Sequence, residues 1–115
     1  MSERASEDSQ VVVPESFIAL YRAPGRLKLS APRAEIAQRH EFCDDLAQML
    51  TEQAQTRLWE LGVTEADVLQ RMLQGLSAPG SVVNNEEAVW VTTRLAELLG
   101  WPALPGSPPG ATQKR

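Results

Sequence analysis

The chain has 115 residues, 43% of them hydrophobic and 23% charged, with a net charge of −4. That length suits one ordinary domain, and the composition is that of a globular one. The longest uncharged apolar runs, "FIALY" and "AVWV", fall far short of the ~18 residues a bilayer span needs, which argues against a membrane protein.

The N-terminus, "MSERASEDSQ", mixes acids with arginines and has no apolar stretch behind a basic start, so it does not read as a secretory signal. Cys43 is the single cysteine and has no partner for an internal disulfide. An intracellular, cytoplasmic protein is the resulting expectation.

Charge is distributed unevenly. Residues 1–21 sum to −3, and residues 22–39 reach +4 through Arg22, Arg26, Lys28, Arg33 and Arg39 against Glu35. Residues 40–101 hold ten acids against Arg57, Arg71 and Arg94, giving −7. The basic arm either folds back on the acidic body and neutralises it, which is the favoured reading, or faces an anionic partner.

Residues 1–12 read as a disordered N-terminus, and 102–115, "PALPGSPPGATQKR", as a Pro/Gly-rich tail with too little apolar area to order itself. A single helical domain is expected between them, over 13–101. Pro14 and Glu15 suit the start of a short helix through "ESFIALY", ended by the turn signal "APGR". A strand at "FIALY" or "RLKLS" is the alternative. Phe17, Ile18, Leu20 and Tyr21 are expected to complete the core.

Ser30 is a candidate N-cap for a long helix over about 31–61, with Glu35 early in it. Ile36, His40, Cys43, Ala47, Leu50, Ala54, Leu58 and Leu61 recur at spacings of three and four, and Phe42, Leu46 and Met49 widen that stripe. Gly62 reads as the left-handed stop, with Val63 as its hydrophobic companion. Thr64 opens a second helix over about 65–76, in which Asp67 replaces the usual Glu or Gln of a capping box. Val68, Leu69, Met72, Leu73 and Leu76 form its buried face. Asn84 or Asn85 caps a third helix over about 85–99, with Glu86 and Glu87 in its first turn and Gly100–Trp101 as its stop. The fold class is therefore all-α: a small bundle of three main helices plus a short N-terminal one. Trp59, Trp90 and Trp101 are all expected to pack in the core.

A helix over 31–61 would be ~46 Å long at 1.5 Å per residue. A compact domain of this size is roughly 30 Å across. The helix must break, or its N-terminal third must project and leave apolar surface for a second copy or another partner. The absence of Gly and Pro from 33 to 61 favours a continuous helix, and with it a homodimer or partner contact along its length.

No phosphate loop, dinucleotide fingerprint, H-E-x-x-H or paired C-x-x-C occurs, so no cofactor is expected. His40, Cys43 and Asp44 share one helix face at a spacing that can hold a metal or pair a thiol with an imidazole. With one His and one Cys in the chain, the favoured reading is a packed cysteine beside an edge histidine placed to bond Asp44, with no metal and no catalytic site. "ELGVTEADVLQRML", residues 60–73, has the outline of a DNA-binding helix-turn-helix. Its leading residues Glu65 and Asp67 would oppose phosphate, which ranks nucleic acid as the alternative partner. The favoured function is a non-catalytic adaptor or regulatory module. Its expected interaction residues are Arg22, Arg26, Lys28, Arg33, Arg39, His40 and Cys43.

"HEFCDDLAQMLTE", "EEAVWVTTRLAELLGW" and "VPESFIALY" resemble a family of short uncharacterised bacterial proteins, mainly from betaproteobacteria. Members are sometimes labelled chaperone-like ATPases, although this chain has no nucleotide-binding motif. The resemblance implies a bacterial cytoplasmic protein and carries over no active site.

Overall fold

The structure, a computed structural model, describes residues 13–22 and 29–104. The two tails before 13 and after 104 and the "APGR" turn lie outside the described residues, as do Arg26 and Lys28.

Four helices follow one another: α1 (Glu15–Ile18), continued by a 3-10 turn over Ala19–Tyr21, then α2 (Arg33–Leu61), α3 (Glu65–Leu76) and α4 (Asn85–Leu99). The all-α expectation holds, and the segment 15–21 is helical rather than extended. Pro14 caps α1 with an extended backbone, and its carbonyl accepts from Phe17 and Ile18 N–H. An isolated bridge between Arg22 and Leu29 closes the base of the arm.

One helix start differs from expectation, and the cap at Thr64 is as expected. The N-cap of α2 is Pro32, not Ser30; its carbonyl accepts from Glu35 and Ile36 N–H. Ser30 is taken up elsewhere, its N–H donating to the Tyr21 carbonyl at 2.7 Å beside the Arg22–Leu29 bridge. Thr64 caps α3 by accepting from Asp67 N–H at 3.0 Å. The Asp67 carboxylate turns to Arg71 (2.9 Å), a partner its shorter side chain reaches one turn on.

Both expected glycine stops are present. Gly62 and Gly100 have φ of 65° and 73°, and Gly62 N–H donates to Leu58 while Trp101 N–H reaches back to Ala96.

α2 runs unbroken for 29 residues, ~43 Å at 1.5 Å per residue. Its N-terminal third is the buried end: Ile36, His40 and Cys43 lie in the core, followed by Ala47 and Ala54. The projecting end is the other one. From Gln55 to Leu61 no residue is fully buried, because the bundle has ended and only α3 turns back there. α4 packs most extensively on α2, with α3 against both. Trp90, Phe17, Ile36, Leu69, Leu95, Val68, Val91 and Cys43 form the centre.

The three tryptophans have different fates. Trp90 is buried and Trp101 half-buried, but Trp59 is 86% exposed. It follows Leu58 around the helix by one residue, and that rotation of about 100° carries it off the core stripe. Met49 (72% exposed), Phe42 and Leu61 are likewise outside, so the apolar stripe is narrower than the sequence suggests. Leu104, assigned above to the tail, is half-buried against the core.

Candidate functional site

Three places in the fold gather chemistry: a carboxylate at the start of α4, a histidine–cysteine pair inside, and a groove between α2 and α3.

The sequence Asn84-x-x-Glu87 forms a complete capping box. Asn84 Oδ1 accepts from Glu87 N–H at 2.7 Å, and Glu87 Oε1 accepts from Asn84 N–H at 3.1 Å. Glu87 is 2% exposed, and a buried carboxylate needs compensation. Arg39 supplies it with two bonds, Nε to Oε2 at 3.0 Å and Nη2 to Oε1 at 2.8 Å, and Tyr21 adds its hydroxyl to Oε2 at 2.9 Å. Burial alone would push the Glu87 carboxyl up. The bonds from Arg39, Asn84 and Tyr21 overcome it and hold the group below its ordinary value. Burial and the neighbouring carboxylate push the Tyr21 phenol up to about 12. A shallow cleft lined by Glu35, Arg39, Val82 and Asn84 opens beside this cluster, where Arg39 and Asn84 are already bonded to Glu87.

His40 is 9% exposed and sits among rings, with Phe17 and Trp90 each 5.5 Å away edge-on. Its Nδ1 is buried without a hydrogen-bond partner. The expected bond to Asp44 is absent because Asp44 is engaged by Arg94 at 2.7 Å and by Gln48 at 2.8 Å. Desolvation lowers the His40 pKa and keeps the ring neutral at pH 7. Cys43 is fully buried, and burial, with the field of Glu87, pushes its thiol up to about 12. A buried thiol held so far above neutrality is little ionised at pH 7 and so weakly nucleophilic. Among the described residues, no group of three His, Cys, Asp or Glu is placed to hold a metal.

The expected interaction residues are thus dispersed. Arg22 pairs with Glu15 at 2.6 Å within its own arm, and Arg33 is exposed at the start of α2. Arg39 is committed to Glu87 and also lies over the Phe42 ring, 5.0 Å from its centroid. His40 and Cys43 face inward.

The groove was not anticipated. Leu50, Gln53 and Arg57 of α2 face Val68, Arg71, Met72, Gly75 and Leu76 of α3 across a trough of about 320 Å³. Val68, Met72 and Leu76 were legible as one face of α3. What the sequence did not reveal is that α2 leaves part of that face uncovered. The one sequence feature that marks the place is Gly75, a glycine inside an amphipathic helical pattern, whose meaning the pattern alone does not give.

No helix of the described residues is long and apolar enough to cross a membrane. The chain matches no family model, and neither the curated proteins nor the solved structures yield a similar one.

Proposed function

We propose that this chain is a non-catalytic protein-interaction module, an adaptor or regulatory domain, whose partner covers apolar surface at the free end of α2. The observation that carries the reading is Trp59, 86% exposed on the end of α2 that projects past the bundle. A tryptophan on a rigid, ordered helix offers a large apolar contact with little entropy to lose, and such residues dominate binding energies at interfaces. Met49 and Leu61 are also exposed on this helix, Leu61 about 200° around it from Trp59 and so on another face.

The internal chemistry fits that reading. His40 and Cys43 serve packing, and Glu87 holds three elements together, which leaves these groups for structure rather than turnover. Glu65 and Asp67 at the start of α3 disfavour a nucleic-acid phosphate there, and Arg71 is already paired with Asp67. The proposed setting is cytoplasmic and, following the resemblance noted above, bacterial. A second copy of the chain is included among the partners that this surface would accept.

The test compares wild type with Trp59→Ser as immobilised baits in the same native extract, with bound proteins quantified by mass spectrometry. A protein retained by wild type and lost with the variant, at unchanged melting temperature, supports the reading. Identical retained sets overturn it.

A further inference from the structure

We propose that the groove between α2 and α3 receives the apolar face of a short acidic amphipathic helix from a partner protein, with carboxylates of that helix facing Arg57 and Arg71. This rests on the interaction reading above and assigns it a second contact surface with a defined ligand chemistry.

The first support is Gly75. Glycine inside a helix is destabilising relative to alanine, so its presence there points to a need for its small size or its backbone freedom. Gly75 has no positive φ, and a Cβ added there would meet nothing within 4 Å. Nothing within the fold requires glycine at this position. It lies on the wall of the groove, where a missing side chain lets another backbone approach closely.

Charge is the second. The stretch from 40 to 101 sums to −7 and has three cations. Arg94 is bound to Asp44 and Glu97. The other two, Arg57 and Arg71, both line the groove. Arg71 spends one contact on Asp67, and both guanidinium groups are on the exposed rim. An otherwise acidic surface therefore places two exposed guanidinium groups, Arg57 and the Asp67-paired Arg71, beside an apolar trough. A ligand with apolar residues in the trough and carboxylates at its edge matches both features, and a basic one meets repulsion.

Shape is the third. Val68, Met72 and Leu76 repeat every four residues along one wall, opposite Leu50. This is the two-helix trough into which an amphipathic helix lays residues at i, i+3, i+4 and i+7. Its volume of about 320 Å³ is at the small end of ligand-sized cavities, enough for a few side chains.

The experiment selects peptides from a displayed library in which leucines are fixed at helical spacing and all other positions are random. Full-length wild type is the target. Selected peptides are then titrated against Gly75→Leu, Arg57→Glu/Arg71→Glu and Trp59→Ser, each checked for an unchanged or raised melting temperature. Gly75→Leu fills the groove from an open position, so its fold is safe. Enrichment of Asp and Glu, with affinity lowered at least about tenfold by the first two variants and retained by the third, is the expected result. The proposal falls if basic peptides are enriched or if Gly75→Leu binds as well as wild type. If binding is then lost in Trp59→Ser instead, the groove is rejected while the interaction reading stands. Failure to select any peptide rejects the groove as a helix site. A solution dimer dissolved by Gly75→Leu would make a second copy the occupant and would also overturn the proposal.

Discussion

The Tyr21 hydroxyl donates to Glu87 Oε2 at 2.9 Å across 66 positions of chain. The same carboxylate closes the N-terminus of α4 and pairs with Arg39 of α2, so one side chain joins the arm, the long helix and the last helix. Trp90 Nε1–H to Ser16 Oγ, at 3.0 Å, is the second tie between α4 and α1.

Glu87→Ala should destabilise the fold by about 3 kcal/mol, toward the low end of what breaking a buried ion pair costs, because Arg39 is one-third exposed and can rehydrate. Glu87→Gln keeps a capping side chain and should cost less. The carboxyl's folded pKa is depressed, so its contribution is complete above the unfolded value near 4.3 and is lost as pH falls through the folded one. Chemical denaturation of the three proteins at pH 7 and pH 3.5 measures this. The difference between wild type and Glu87→Gln should shrink at the lower pH.

Phe17→Ala should cost about 3–5 kcal/mol, the range for truncating a buried phenylalanine. Phe17 is 0% exposed and contacts the rings of Tyr21, His40 and Trp90. Removing the arm through residue 22 should be at least as damaging. A melting temperature unchanged by either alteration would mean that the arm does not belong to the core.

His40 gives the fold a pH dependence of its own. Its folded pKa is lowered, so the unfolded chain binds the extra proton as pH falls. The stability linked to the neutral ring is complete above the unfolded pKa near 6.5 and is lost below it, as pH falls toward the folded value. Asp44, Glu41 and Arg94 are the charged groups that act on the ring. His40→Phe should flatten the stability profile between pH 7 and pH 5, and it also removes the unpartnered Nδ1. Denaturation midpoints at half-unit pH steps check the slope.

Cys43 should be inert in the folded protein. Its thiol is buried and pushed up to about 12. Alkylation at pH 7.5, followed by mass, should be slow in buffer and rapid in denaturant. Rapid modification of the native protein would mean that α2 opens around it.

The helices were legible because their signals are local: Gly62 and Gly100 as stops, Thr64 and Asn84 as caps, and a 3.6-residue period along α3 and α4. Burial depends on what lies opposite, and there the sequence was a poorer guide. Trp59 and Met49 sit on an apolar-looking stretch that the bundle does not cover, whereas Ile36 and His40 in the supposedly projecting third are buried by α1 and α4. Half of Glu87's role could be read from the Asn84-x-x-Glu87 box. Its bonds to Arg39 and Tyr21 join residues 48 and 66 positions apart, and no local pattern encodes them. The groove is likewise a product of how α2 and α3 meet.

The central claim is that the free end of α2 is a contact surface, and site-specific photo-crosslinking tests it most directly. A benzophenone amino acid replaces Trp59, or Gln38 as an exposed control on the same helix, in the native cell. The account predicts discrete adducts of defined mass from position 59 and none of these from position 38. No adduct at 59, or the same adducts at both positions, would contradict it.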